Sequence, residues 1–180
     1  MNRTMTRRDL GLAAAGALSM GSAVVAKAVN AAEPGGDWLA IIKAQHQELD
    51  RMLMAVKSAE SNPARVAAFK KFSIYLSAHS MAEEVSVYPA LAISGSEDAS
   101  KKLYSEQDNA KILVARIDDA LSMNQDAEVP AMLDNLANAL HAHVAEEENQ
   151  DFPPLKAKED AKMNAKITSE FKMAFQRAAS

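Results

Sequence analysis

The chain carries one frame twice. His79-Ser80-Met81-Ala82-Glu83-Glu84, running on to Tyr88-Pro89, is matched position for position by His143-Val144-Ala145-Glu146-Glu147-Glu148, running on to Phe152-Pro153. In each copy the histidine is followed by glutamate at the fourth and fifth positions, an aromatic at the ninth and proline at the tenth. At about 100° per residue a four-residue step rotates a helix by only ~40°, so each His and its Glu share one face, a turn apart. Each pair is a ready-made N,O chelate, and the fold must supply two helices that present it. Self-similarity of this kind marks a repeated supersecondary unit. It extends upstream, where His46 precedes the first frame as Gln107 precedes the second, with three extra residues in the second connection. The chain therefore reads as two helical hairpins related by a pseudo-two-fold axis.

Periodicity fills in the helices. The first opens at Asp37, a suitable N-cap, and runs to about Glu60 with Leu39, Ile42, His46, Leu49, Leu53 and Val56 at spacings of three and four. The second starts after Ser61-Asn62, with Pro63 at the first helical position, and runs to Tyr88-Pro89. Ile93-Ser94-Gly95-Ser96 breaks the chain. A third helix is expected from about Asp98 to Met123, and a fourth from about Asp126 to Phe152-Pro153-Pro154. A fifth, shorter pattern from about Glu159, with Met163, Ile167, Phe171 and Phe175, is expected to pack across one end. No alternating strand pattern is present, and aromatics at 5% favour helix over strand. The expected fold is all-α: an up-down-up-down four-helix bundle over residues 37–155, followed by a helical extension over 156–180.

Residues 1–31 read as an address. Arg7-Arg8 stand directly before an Ala/Gly-rich apolar run from Leu10 to Val25, and small residues around Ala31 suit a signal peptidase. This resembles a twin-arginine export signal, with export machinery as a transient partner and the periplasm as destination. The run is short for a ~20-residue membrane span. Residues 32–36 form a linker containing Pro34-Gly35-Gly36. A net charge of -4 excludes a protein that lives on nucleic acid. Zero cysteines exclude thiolate metal sites, so a metal here is held by histidine and carboxylate.

The inward faces of the bundle carry His46, His79, Glu83, His143 and Glu147. A buried unpaired carboxylate costs several kcal/mol, on the order of a broken buried ion pair, and a dication satisfies all five groups together. Imidazole and carboxylate suit iron, manganese or zinc, and bridging carboxylates suit a dinuclear centre. Ferritin-type diiron bundles use Glu-x-x-His; the order here is His-x-x-x-Glu, twice.

From about Asp37 to Leu155 the chain resembles the hemerythrin-like, or HHE cation-binding, domains. The resemblance rests on His46, on His79 with Glu83 and Tyr88-Pro89, on Glu106, and on His143 with Glu147 and Phe152-Pro153. It implies a four-helix bundle around a non-haem diiron site that binds dioxygen reversibly or responds to oxygen, nitric oxide, peroxide or iron. It also implies His46, His79 and His143 as terminal ligands, with Glu83 and Glu147 as bridges.

One position departs from the pattern: where the family has Glu-His in the third helix, this chain has Glu106-Gln107. Three outcomes stay open, namely a diiron centre completed by water or the Gln107 oxygen, a single-ion site, and a bundle without metal. Lys111, a turn beyond Gln107, either reaches inward toward Glu147 or snorkels to solvent. Asp50 either orients His46 from behind or is an exposed charge. Tyr75 either hydrogen-bonds into the site or keeps its hydroxyl at the rim. His141, turned ~200° from His143, belongs at the surface, and Glu84, Glu146 and Glu148 belong to solvated acidic faces. The expected function is a periplasmic carrier, store or sensor of a small oxidant or gas. The alternatives are an iron-dependent oxidase, peroxidase or nitric-oxide-handling enzyme, and a metal-free interaction bundle.

Overall fold

The computed structural model describes residues 36–125 and 127–180. The expected signal segment, residues 32–35 of the linker and Asp126 lie outside the described residues. Among the described residues six α-helices form, in chain order α1 (Trp38–Lys57), α2 (Asn62–Ile93), α3 (Glu97–Ser122), α4 (Val129–Glu146), α5 (Phe152–Lys158) and α6 (Ala161–Ala178). A single π turn, Glu147–Asp151, joins α4 to α5. Side-chain caps set three of the starts, since the first helical N–H groups have no partner within the helix. Asp37 accepts from the Ala40 N–H at 3.1 Å, Ser61 from Ala64 at 3.4 Å and Asp160 from Met163 at 2.7 Å. Gly95, at φ 96°, supplies the left-handed residue that turns the chain between α2 and α3.

Helices α1 to α4 form the bundle, and three expectations about its elements change. First, α2 continues through Pro89 to Ile93. Proline deprives only the carbonyl four residues earlier of its donor, and Val85, which carries it, is half exposed. Second, α4 begins at Val129 and gives way at Glu147 to the π turn. Pro153 and Pro154 offer no N–H groups, and the Phe152 N–H bonds to the Glu147 carbonyl five residues back.

Third, α6 lies along α2 rather than across one end of the bundle. Its Thr168 hydroxyl accepts the Trp38 N–H at 3.0 Å, while Phe171 and Phe175 sit with ring centroids 6.2 Å from His79 and 5.2 Å from Tyr75. The cause lies in α2, which buries residues on more than one side, from Phe69 and Phe72 to Tyr88 and Leu91, and needs a further apolar layer. The stripe Ile167, Phe171, Phe175 provides it.

Trp38 ties the two ends of the bundle sequence together. It is fully buried, packs edge-on against Phe152 at 5.4 Å, and donates its indole N–H to Glu159 at 2.7 Å. Among the described residues, no helix is long and apolar enough to cross a membrane.

Candidate metal centre

Four segments deliver the five predicted ligand residues to one buried layer. His46 comes from α1, His79 and Glu83 from α2, His143 from α4, and Glu147 opens the π turn. Glu83 and Glu147 are completely buried. His46 Nε2 lies 3.7 Å from Glu83 Oε1 and 3.3 Å from Glu147 Oε2. Within each repeated frame the pair closes as the helical spacing requires: His79 Nε2 is 3.3 Å from Glu83 Oε2, and His143 Nε2 is 3.4 Å from Glu147 Oε1. Two triads result, His46/His79/Glu83 and Glu83/His143/Glu147, each with its ligand atoms within 4.8 Å of one another. Glu83 belongs to both.

The outer nitrogen of every ring is held. His46 Nδ1 lies 2.8 Å from Glu148 Oε1, His79 Nδ1 2.9 Å from Gln45 Oε1, and His143 Nδ1 2.9 Å from Glu106 Oε2. Each partner is an oxygen acceptor, so Nδ1–H donates and Nε2 faces the cluster. Three cluster atoms, His46 Nε2, Glu83 Oε1 and Glu147 Oε2, are buried with no hydrogen-bond partner. Orphaned buried groups of this kind are rare in folded proteins. Each belongs to at least one of the two triads, where a cation would give it a partner, and a set of three imidazoles and two carboxylates fits iron, manganese or zinc.

The electrostatics show the same demand for positive charge. Burial and the neighbouring charge of Glu147 push the Glu83 carboxyl up to about 7, against the opposing pull of His46. Burial disfavours charge on His46, yet Glu147, Glu148 and Glu83 outweigh it and hold the ring well above the ordinary imidazole value. His79 goes the other way, driven well down by burial and by the charges of His46 and His143. Two carboxylates in a dry site favour a positive charge between them, from a proton or a metal.

The remaining predicted residues divide. Gln107 is buried beside the cluster but offers it an N–H: Nε2 donates to Glu83 Oε2 at 2.7 Å and to the Tyr88 hydroxyl at 2.6 Å. With its N–H so engaged Gln107 supports a ligand, and its Oε1 is buried with no hydrogen-bond partner. Glu106 backs His143 and also faces Lys102 at 3.6 Å. Lys111 turns outward to Glu84 and Asp108. Asp50 is exposed and pairs with His141 at 2.9 Å, away from the His46 ring nitrogens. Tyr75 packs on Phe175, and its buried hydroxyl has no partner and does not enter the cluster.

Three residues of the site escape the sequence reading. Glu148, expected on a solvated face, instead binds His46, because the wider π turn lets Glu147 and Glu148 both reach that ring. Gln45 carries no motif. Tyr88 sits at the centre, donating to Glu147 Oε1 at 2.7 Å, with its hydroxyl 3.4 Å from Glu83 Oε2 and 3.3 Å from His143 Nε2. A signal for Tyr88 existed: the ninth position of the frame is tyrosine in one copy and phenylalanine in the other.

The family model described as the hemerythrin HHE cation binding domain matches residues 38–155, which span α1 to α5 up to Leu155 and include both triads. No match is found among curated proteins.

Proposed function

Because the chain belongs to the hemerythrin HHE cation-binding family, we propose that it holds non-haem iron at its two triads and uses it to bind or sense dioxygen or another small oxidant or gas. The observation that carries this reading is the pair of triads sharing Glu83, with unpartnered ligand atoms in a fully buried layer. Iron would supply a change of oxidation state and a coordination position for the small molecule. The chain's own residues do the rest. Glu148, Gln45 and Glu106 fix the three rings from behind. Tyr88 gives its proton to Glu147 Oε1 in a hydrogen bond and accepts one from Gln107, so a buried donor stands at the cluster.

The two positions are unequal. The first triad has two imidazoles and the second has one, with the Gln107 N–H turned to their shared carboxylate. The larger number of imidazoles favours filling the His46/His79/Glu83 position first, with a single-ion form as the second reading. The paired arginines and the apolar run after them support twin-arginine export to the periplasm as part of this proposal.

The test is to purify the protein aerobically, measure iron per chain and record the visible spectrum, then repeat after reconstitution with ferrous, manganous and zinc salts. One to two ions per chain are expected, on the order of the two triads. Substoichiometric metal from all three salts would overturn the reading.

A further inference from the structure

The histidine side of the cluster borders a cavity of about 300 Å³. His46, His79, His143 and Gln107 form one end of it, whereas Glu83, Glu147 and Tyr88 do not line it. Its walls are Leu49 and Leu53 of α1, Leu76 of α2, Ala110 of α3 and Leu140 of α4. Ala110 explains the space. It lies on the inward stripe of α3 with Leu103, Gln107 and Ile117, and presents one carbon where the facing helices present leucines. A second cavity of about 80 Å³ shares Leu76, Ser80 and Ala110, so the layer around Ala110 is underfilled on two sides.

Protein interiors pack nearly as densely as organic crystals, and the apolar wall left uncovered here forfeits contacts that a ligand could restore. The pocket opens to solvent past Gln47, Asp50 and His141, and its inner surface is mostly leucine and alanine; apolar cavities of roughly half this volume take up benzene. Small-molecule sites begin at about 300 Å³, apolar with a few polar groups. The charges nearest the lip are engaged: Asp50 pairs with His141 at 2.9 Å, and Glu148 with His46 and Lys43. The His46 and His143 rings that face the cavity are likewise paired, with Glu148 and Glu106, so a charged ligand would lose its hydration and find every lining charge already engaged.

We propose that this cavity is a binding site for an uncharged, apolar molecule the size of a single aromatic ring, seated against the imidazole layer. The site rests on packing and lining alone, so it stands or falls separately from the iron reading.

The experiment titrates the full chain, with leucine methyl groups isotopically labelled, with benzene, toluene and benzoate, and measures metal content on the same samples. Benzene and toluene are expected to give saturable one-to-one shifts in the methyls of Leu49, Leu53, Leu76 and Leu140, and benzoate none. Ala110→Leu should weaken benzene binding at least tenfold, and Ala110→Val, a smaller intrusion that keeps the helix intact, should weaken it less; circular dichroism checks both folds. Absence of saturable shifts in the unsubstituted chain, equal binding of benzoate, or unchanged affinity in folded Ala110 variants would overturn the proposal. Ring binding in a protein that takes up no metal supports it while removing the iron reading, and metal uptake without ring binding does the reverse.

Discussion

Each ligand histidine turns its outer nitrogen to an acceptor from a different part of the chain, and those acceptors decide which nitrogen faces inward. Groups that orient ligands typically change metal affinity by about 10–100-fold. Glu148→Ala is therefore expected to weaken metal binding in that range, while Glu84→Ala, the matching position of the first frame, leaves it unchanged because Glu84 pairs with Lys111. Glu83→Ala and Glu147→Ala should each remove most of the metal. Equilibrium dialysis with metal analysis separates the four, and equal losses from Glu84→Ala and Glu148→Ala would contradict the assignment. The pH dependence follows from the same residues. His46 and His143 are raised on folding by their carboxylate neighbours, against burial. Such groups stabilise the fold below their unfolded pKa, and the contribution is lost as pH rises through the folded one. Glu83, raised to about 7, adds a loss that ends near that pH. His79, lowered by burial, acts in the opposite sense, but only below its ordinary value of 6.5. The metal-free chain should thus lose stability as pH climbs from 6.5, the ordinary imidazole value, and a bound dication, replacing the protons, should flatten or invert the slope. Urea melts with and without metal read this directly; stability rising with alkalinity in the metal-free chain would refute it.

Among the elements, α1 shows how one side chain can serve two junctions. Asp37 caps the helix at the Ala40 N–H and meets Lys156 of α5 at 2.6 Å. The hydrogen bond from Lys156 is the main reason its carboxyl lies below the ordinary value of 3.8, with burial opposing. Because the pair is solvent-screened, the cap carries most of the effect. Asp37→Ala should cost about 1 kcal/mol at neutral pH. A lowered carboxyl contributes fully above its unfolded pKa and fades as pH falls through the folded one. The difference between the two proteins in a denaturant titration should accordingly shrink below pH 3.8, that ordinary carboxyl value; a constant difference would mean that charge plays no part. The π turn is the other element with consequences. Pro153-Pro154 announces a disturbance in the helix, yet its form depends on which carbonyl the Phe152 N–H finds, and that choice brings Glu148 to His46.

For the molecule as a whole, α6 is part of the support of the site rather than an appendage. Phe171 is fully buried and its ring lies 6.2 Å from His79. Phe171→Ala should destabilise the protein by about 3–5 kcal/mol and weaken metal binding at the His79 triad, read as a shift in urea midpoint together with a loss of affinity. Unaltered affinity in a protein that remains folded would show that α6 stabilises the bundle without positioning the ring. The helices and the inward faces of the two frames were legible from residue order, because both depend on neighbours three and four positions apart. The capped start at Asp37 was legible on the same grounds, since a cap acts within one turn, whereas the second helix opens one residue before the expected Pro63, with Ser61 as its cap. Tertiary structure alone decided what stands behind those faces. Gln45 reaches His79 across 34 positions and Glu148 reaches His46 across 102, contacts that no local pattern encodes. It also decided that Tyr88 sits among four polar partners, that α6 lies along α2, and that Ala110 faces open space. Periodicity assigns a residue to a face; what the face meets depends on how separate helices close on one another, and that is set by packing.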